Sequence, residues 1–211
     1  MSTKIGLISD THSSLAPLQQ ALDIFQREQV NDIICAGDIA GYGEDQLAQS
    51  VALLQQHHCL SIAGNHDQSI HTDEMAKHPA ELDAFFKQLP STLQLEREGK
   101  RLYVVHAHPP NSQHGGIKLL DPQGQVMVER KHAWQQKLAA FDYDVLIVGH
   151  THQVFAEQLG NVLVINPGST QFNHTCMMLE LPSMQVKVFA LMNKEPILCW
   201  NWGIFFNKIK M

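Results

Sequence analysis

Positive charge is scarce in this chain of 211 residues. Lysine and arginine number 15 against 21 aspartate and glutamate residues, which gives a formal net charge of −6. The sequence contains no run of basic residues, so a nuclease or another protein that grips a nucleic-acid backbone is disfavoured, apart from one that takes a small nucleotide as substrate. If the protein handles phosphate groups, something other than lysine and arginine must supply positive charge.

The sequence also lacks the long apolar segments that membrane helices need, which run to about 20 residues. It begins MSTKIGLISD, without the basic and apolar regions of a secretory signal. Its four cysteines are widely spaced and form no C-x-x-C motif, which indicates reduced and mostly buried thiols. We therefore expect a cytoplasmic protein with no membrane partner.

The overall composition is that of an ordinary folded protein, with 44% hydrophobic and 17% charged residues. We find no internal repeat and no linker of biased composition. We therefore predict a single domain over residues 1–211, with a small polar insertion at about 67–90 near the active site.

Short apolar runs alternate with helical periodicity in the first third of the chain, which is typical of a parallel sheet. The predicted strands are 4–10, 32–38, 59–65, 102–108, 145–150, 161–166, 176–181 and 186–191, and the predicted helices are 15–28, 46–57, 81–88 and 128–140. The last three strands follow one another closely, which favours antiparallel pairing. The pattern predicts an α/β protein in which two mixed β-sheets pack face to face with helices outside.

Five of the predicted strands end in, or run on to, side chains with oxygen or imidazole donors. These are Asp10 and His12, Asp38, Asn65, His106, and His150 with His152. Ligand sites in open α/β sheets lie just outside the carboxyl ends of the strands. Taken singly, each residue could be a turn former, a helix cap or a hydrogen-bonded histidine. Together they would bury many polar groups at one sheet edge, which is costly without a partner.

Bound metal ions would remove that cost. Carboxylate, carboxamide and neutral imidazole groups suit Mn²⁺, Fe, Zn²⁺ and related divalent ions better than they suit a thiolate-type site. Seven donors exceed the four of a closed zinc site. One bridging carboxylate would let them serve two ions, and such pairs, about 3.5–4 Å apart, assist phosphoryl transfer. We predict two divalent metal ions, with Mn²⁺ favoured and Fe, Zn²⁺, Ni²⁺ or Co²⁺ as alternatives.

Five short motifs, in the same order, resemble those of the calcineurin-like metallophosphoesterases. They are Asp10-Thr-His12, Gly37-Asp38-x-x-Gly41, Gly64-Asn65-His66-Asp67, His106 and Gly149-His150-Thr151-His152. The resemblance runs from residue 5 to about residue 170 and includes an NPGS turn, Asn166 to Ser169, that resembles the smaller bacterial and archaeal phosphodiesterase branch. It implies a four-layer α-β-β-α sandwich.

The resemblance also implies a role for each motif residue. Asp10, His12 and His152 would bind one metal ion, and Asn65, His106 and His150 the other, with Asp38 bridging the two. A hydroxide held between the metals would attack a phosphate ester. His66 would act as the general acid or stabilise the charge on the transferring group. Asp67 would orient His66, although a plain helix or turn role is open to it as well.

Two departures from the wider family narrow the expectation. The second motif reads GDIAGYG, without the Asp-Arg-Gly of the phosphoprotein phosphatases, which favours a phosphodiesterase over a monoesterase. His66 is intact, whereas relatives that serve as protein scaffolds look degraded at this motif. The alternative is a non-catalytic protein-interaction module of the same fold, supported by the apolar tail PILCWNWGIFFNKIKM and the histidine-rich insertion.

The remaining candidates carry less information. His108 lies two residues past His106, on the same side if the strand stays extended, and is a candidate substrate-binding residue. His114, His174 and the loop 109–125 could reach the site, but no motif gives them a role. The tail around Trp200 and Trp202 either packs back on the body or joins two copies into a homo-oligomer. A small phosphate ester is the expected substrate.

Overall fold

The computed structural model describes residues 2–42, 44–68 and 80–200. The elements are, in order, β1 (Thr3–Ile8), α1 (Leu15–Glu28), β2 (Asp32–Cys35), a 3₁₀ turn (Glu44–Gln46), α2 (Leu47–Gln56), β3 (Leu60–Ser61), α3 (Asn65–Gln68), α4 (Ala80–Gln88), β4 (Thr92–Arg97), β5 (Lys100–Val105), α5 (Val128–Lys137), β6 (Val145–Ile147), β7 (Val154–Leu159), β8 (Val162–Pro167), β9 (Thr175–Leu181) and β10 (Gln185–Ala190).

The strands form two mixed sheets of five, as predicted. The first sheet has the order β10-β9-β1-β2-β3 and the second the order β4-β5-β6-β8-β7. Each sheet contains two parallel pairs: β1 with β2 and β2 with the edge strand β3 in the first, and β6 with its neighbours β5 and β8 in the second. The carboxyl ends of these parallel strands point the same way within each sheet and bring their following loops together.

Alternation along the strands divides the apolar side chains between two faces. In β1, Ile5 and Leu7 belong to the cluster between the two sheets, whereas Ile8 belongs to the cluster under the helices. In β5, Val104 faces the other sheet and Val105 faces outward. Because both faces are covered, these strands read as continuous apolar runs rather than as alternating ones.

Helices α1 and α2 cover the first sheet. The amphipathic face of α1 places Leu18, Leu22 and Phe25, all fully buried, against the sheet, and α2 adds Val51 and Leu54. The outer face of the second sheet is covered by α5 together with the loop before it. No residue within α5 is buried, so the buried loop residues Ile117, Leu119 and Leu120 supply much of that layer. The predicted two-sheet α/β sandwich with outer helices is confirmed.

Several element predictions were wrong in detail. Strands β4 and β7 were missed. The first, TLQLER, is a charged edge strand with half-exposed side chains, and its sequence looks like surface loop. The last strands do not form one antiparallel half: β8 lies parallel to β6, while β9 and β10 extend the first sheet beside β1. Closeness in sequence does not decide which sheet a strand joins.

The predicted insertion at 67–90 is described in part. Residues 69–79 lie outside the described residues. Helix α4 follows them and packs Leu82, Phe85 and Phe86 against the cluster beneath α1 and α2. Trp202 and the rest of the tail from residue 201 also lie outside the described residues. Among the described helices, none has the length and hydrophobicity to cross a membrane.

The contact between β1 and α1 yields a stability prediction. A Cβ at Gly6 would lie 2.7 Å from the ring of the fully buried Phe25. We expect Gly6→Ala to lower the free energy of unfolding by about 1–3 kcal/mol, because the core must shift to admit the methyl group. Urea denaturation measures the loss. In a Phe25→Leu background the same substitution should cost clearly less, and equal costs in the two backgrounds would contradict the proposed clash.

Candidate active site

The loops that follow β1, β2, β3, β5 and β6 converge at one edge of the molecule. They bring together three groups of side chains whose ligand atoms lie within 4.8 Å of one another and could hold a metal ion. The groups are Asp10, His12 and His152; His12, Asp38 and His66; and Asp38, His106 and His150. The loops after β1, β2 and β3 come from the first sheet and those after β5 and β6 from the second, so both sheets contribute donors.

The donors lie beyond the strands rather than on their last residues, which corrects the predicted strand ends. β1 ends at Ile8, β2 at Cys35 and β6 at Ile147. Five of the seven predicted ligands have left-handed backbone, with φ between 44° and 64°: Asp10, His12, Asp38, His150 and His152. Such angles are costly for residues with a Cβ and are incompatible with a strand. They turn the chain so that side chains from separate loops face one centre.

Hydrogen bonds to the backbone fix the protonation of two of the histidine rings. His12 Nδ1 lies 3.1 Å from the carbonyl oxygen of Ala40, and His106 Nδ1 lies 2.7 Å from that of Ala36. A carbonyl can only accept, so each Nδ1 carries the proton and each neutral ring presents a lone pair at Nε2. His12 Nε2 lies 3.2 Å from His152 Nε2, so nitrogen faces nitrogen.

Asn65 faces two further rings. Its amide lies 2.8 Å from His150 Nδ1 and 3.1 Å from His106 Nε2. With the amide oxygen turned inward, the three groups present electron pairs to one point, as a cation requires. With the amide reversed, its NH₂ group donates to both rings. Amide oxygen, imidazole nitrogen and carboxylate together form a donor set that suits divalent transition metals.

The two aspartates are held by the groups around them. Asp10 accepts from Ser9 Oγ at 2.6 Å and from the backbone N–H of His150 at 3.0 Å. Burial alone would raise the pKa of Asp10, but the neighbouring His152 holds this pKa well below its usual range. Burial would likewise raise the pKa of Asp38, but the neighbouring His106 has the opposite effect, and the pKa of Asp38 is lowered. Both carboxylates are therefore ionised at neutral pH.

The buried histidines divide into two kinds. Burial lowers the pKa of His12 and of His150 to about 4, so both rings are neutral at physiological pH. Burial also opposes a charge on His106, but Asp38, whose Oδ2 lies 3.3 Å from His106 Nε2, raises the pKa of His106 to about 9. Without a cation in the site, Asp38 and His106 therefore form a buried ion pair.

His66 and Asp67 have different surroundings. The backbone N–H of His66 donates to Asp38 Oδ1 at 2.8 Å, and its half-buried ring lies 5.1 Å from that of His12. Asp67 is 6% exposed and accepts from the backbone N–H groups of Ala40 and Gly64, both at 2.8 Å. Asp67 thereby ties the loop after β2 to the loop after β3. These bonds fix the backbone of the segment that carries His66, and the predicted orienting role of Asp67 stays a prediction.

His108 lies apart from the three donor groups. Because β5 ends at Val105, the extended geometry that would have placed His108 beside His106 is absent, and that argument was wrong. Its Nδ1–H donates to the carbonyl of Pro109, and its ring lies 5.7 Å from Trp134 in a cavity of about 800 Å³.

The other two candidate histidines differ in their surroundings. The ring of His114 lies 6.1 Å from that of His150, while the backbone carbonyl of His174 accepts from the N–H of Leu191.

Three residues near the site escaped sequence reasoning. The ring of Tyr42 lies 4.9 Å from His12 and 5.1 Å from His66, and Phe172 stacks on His152 at 5.3 Å. The backbone carbonyl of Gln113 lies 3.3 Å from the Asn65 amide, and its own side-chain amide is buried without a hydrogen bond among the described residues. Tyr42 stands inside GDIAGYG, so proximity to Asp38 could have marked it. No sequence motif around Phe172 or Gln113 indicates that these residues lie near the site.

Glycines let the converging loops approach one another. A Cβ at Gly37, whose φ is 94°, would lie 2.7 Å from His106 Nδ1, and one at Gly149 would lie 2.7 Å from Asp10 Oδ2. Both contacts join a loop of one sheet to a loop of the other. The glycines of the second and fifth motifs therefore keep the two halves of the site in contact.

The fold and the site define a class of protein: a two-sheet α/β sandwich with carboxylates and histidines gathered at the strand ends, where they could hold metal. The chain belongs to the calcineurin-like phosphoesterase superfamily, because the model of that superfamily's domain matches residues 3–183. Membership supports a hydrolase that acts on phosphate esters.

Individual relatives agree with this assignment. Phosphodiesterase MJ0936 of Methanocaldococcus jannaschii is 26% identical over 166 residues, covering 78% of this chain and 82% of that protein. Phosphodiesterase YfcE of Escherichia coli K12 is 25% identical over 175 residues, covering 79% and 78%. The crystal structure of a hypothetical protein from Pyrococcus horikoshii, PH1004, covers 99% of this chain and 92% of its own, with a TM-score of 0.73 at 15% identity. This last likeness supports the fold alone.

The contacts of Asp67 predict a structural role that stability can measure. We expect Asp67→Ala to lower the free energy of unfolding by about 1–3 kcal/mol for each buried N–H that it leaves unpaired. Asp67→Asn keeps one acceptor oxygen and should lose less. Asp121→Ala is a matched control, because Asp121 also accepts from two backbone N–H groups but at an exposed turn. Equal losses at positions 67 and 121 would contradict the prediction.

The Asp38–His106 pair predicts a pH dependence for the metal-free protein. The pKa of His106 is raised from 6.5 to about 9, so its protonation stabilises the fold fully below pH 6.5, and this stabilisation disappears as the pH rises to about 9. The difference in unfolding free energy between wild type and His106→Gln, both treated with chelator, should therefore shrink across that range. A difference that stays constant with pH would show that His106 does not titrate in this way.

Proposed function

We propose that this protein is a dinuclear metal-dependent phosphodiesterase that hydrolyses a small phosphate ester. The observation that carries the proposal is the position of Asp38, which shares one group of potential ligands with His12 and another with His106 and His150. A carboxylate with histidines on both sides is the arrangement that two neighbouring cations require. The presence of phosphodiesterases among the relatives supports the same reaction.

The proposed ligand sets follow the geometry of the three groups. Asp10, His12 and His152 would hold one ion, and Asn65, His106 and His150 the other, with Asp38 between them. Ions bound there would lower the pKa of a coordinated water and offset the charge that develops on the phosphoryl group. They would also supply positive charge that the acidic chain has little of, since its net charge is −6.

The chain's own residues would arrange the reacting groups. The backbone N–H bond from His66 to Asp38 fixes the His66 segment beside the proposed bridging carboxylate. A Cβ at Gly41 would lie 2.9 Å from His66 Nδ1, so the absence of a side chain at Gly41 leaves room for the imidazole ring. From this half-buried position at the mouth of the site, His66 would give a proton to the leaving oxygen. Tyr42 and Phe172 border the site with ring faces that limit the approach of water and substrate.

The absence of an arginine in GDIAGYG favours a diester over a monoester substrate. A monoester carries a second negative charge on the reacting phosphate, and GDIAGYG lacks the arginine that the phosphoprotein phosphatases would be expected to use on such a group. A diester presents one charge, which the proposed ions alone could balance. Its second ester group also adds bulk, which the open rim at Tyr42, 57% exposed, can accommodate.

The proposal is tested with bis(p-nitrophenyl) phosphate and p-nitrophenyl phosphate in the presence of Mn²⁺. We expect chelator-sensitive turnover that is faster for the diester, and about two bound ions per chain by elemental analysis. His66→Ala should keep both ions and lose activity by about 10²–10⁴-fold, because it removes a proton donor and no ligand.

His132→Ala is the control, since His132 is an exposed residue of α5. It should match wild type in both metal content and rate. Full activity in His66→Ala would remove the proposed role of that residue. An empty site with no turnover of either ester, combined with capture of a stable partner, would instead favour the non-catalytic interaction module.

A further inference from the structure

A second cavity adjoins the candidate active site. It has a volume of about 390 Å³, and His150 and Thr151 of the fifth motif form part of its wall. This size lies within the range of about 300–1,000 Å³ that is usual for small-molecule clefts. A substrate bound at the proposed metal ligands could therefore extend into this cavity without leaving the protein surface.

The cavity is lined by two cations that form no ion pair with any carboxylate among the described residues. Lys118 and Arg130 both line it, and in the described part of the chain neither forms an ion pair with a carboxylate. Among the other described basic residues, six form such pairs and four do not. The paired residues are Lys87, Arg97, Lys100, Arg101, Lys131 and Lys187, and the unpaired ones are Lys4, Arg27, Lys137 and Lys194. This cavity brings two unpaired cations together beside the candidate ligands, which favours an anionic ligand.

The segment that carries Lys118 is fixed in place. On one side, Thr151 Oγ1 donates to the carbonyl of Ile117 at 3.3 Å. On the other, Gln153, which is 4% exposed, accepts from the backbone N–H groups of Leu119 and Leu120 at 2.8 and 3.0 Å. The residues that hold the loop thus flank His152 in sequence, so the position of Lys118 is coupled to that of the candidate ligands.

Arg130 is held at the same cavity from α5. Its Nη1 donates to the carbonyl of Leu120 at 3.3 Å, which places the guanidinium beside the loop that carries Lys118. The acidic residue next in the chain, Asp121, directs its Oδ1 to the N–H groups of Gln123 and Gln125. The remaining guanidinium donors and the Lys118 ammonium are thus available to an anion, and this combination suits the oxygens of a phosphate group.

We infer that the cavity, which we call the Lys118–Arg130 cleft, binds a second phosphate group of the substrate, beyond the ester that is cleaved. The inference rests on the proposed function, because it assigns a place to the part of a phosphodiester that extends past the metal ligands. It narrows the substrate class to phosphodiesters that carry an additional phosphate, such as 5′-phosphorylated dinucleotides. Trp200, whose ring packs against Phe172 at 5.0 Å, also lines the cleft.

The test compares two inhibitors of bis(p-nitrophenyl) phosphate hydrolysis, which are thymidine 3′,5′-bisphosphate and thymidine 5′-monophosphate. They differ by one phosphate group, and the chromogenic substrate has no second phosphate. We expect the bisphosphate to inhibit wild type with a Ki about tenfold lower than that of the monophosphate, as one added charge-assisted contact allows. In Lys118→Gln and Arg130→Gln this ratio should fall towards one.

Lys187→Gln is the matched control. It removes one positive charge from β10, at the edge of the first sheet, where Lys187 pairs with Glu28. It should leave both Ki values and the turnover rate unchanged, which separates a local contact from an effect of net charge. Circular dichroism of each variant verifies folding.

The possible results distinguish a failure of the proposed function from a failure of the cleft as a phosphate site. Absence of wild-type turnover would overturn the proposed function itself. Normal turnover with equal inhibition by the two nucleotides would overturn only the cleft as a phosphate site. A wild-type preference for the bisphosphate that survives both the Lys118 and the Arg130 substitutions would also overturn it.

Discussion

The structure depends on one electrostatic constraint, which is that carboxylate, imidazole and amide groups from several loops face one another in a buried space, where they must share protons or a cation. His12 Nε2 meets His152 Nε2 at 3.2 Å, and Asn65 meets two further rings. Such contacts repel unless a proton or a cation lies between them. Much of the local backbone geometry serves this convergence. The left-handed residues turn the donors inward, and the glycines allow the loops to touch.

A rigid scaffold is needed to hold that arrangement. The φ values of five predicted ligands, between 44° and 64°, are individually unfavourable, and they persist only where the surroundings determine the chain path. Strands β1, β5 and β6, whose last residues before the site loops are buried, supply this support, with Ile5, Val104 and Ile147 packed between the sheets. Asp67 adds a direct tie between two of the loops. The favourable packing of the core thus offsets the backbone strain at the site.

The sequence predicted best those site residues that have a ligand-type side chain and also follow directly after an apolar run. Polar residues after apolar runs marked Asp10, Asp38 and His106, and the two mixed sheets followed from the alternation of strand and helix. It was less informative where contacts form only on folding. Strand ends were placed too late, because a left-handed residue leaves no mark in composition. Lys118 and Arg130 are separated along the chain and come from a loop and a helix, so no motif joins them. Phe172 reaches His152 for a similar reason.

The origin of the donors in both sheets has a mechanical consequence. Asp10, Asp38 and Asn65 follow strands of the first sheet, whereas His106 and His150 follow strands of the second. The two sheets also meet through apolar packing and through polar contacts, such as the ion pair between Arg97 of β4 and Asp32 of β2 at 2.7 Å. An ion held by donors from both sheets would add a cross-link at one edge of the sandwich. The loaded protein would then separate less readily at that edge, so metal occupancy would influence where unfolding and proteolysis begin.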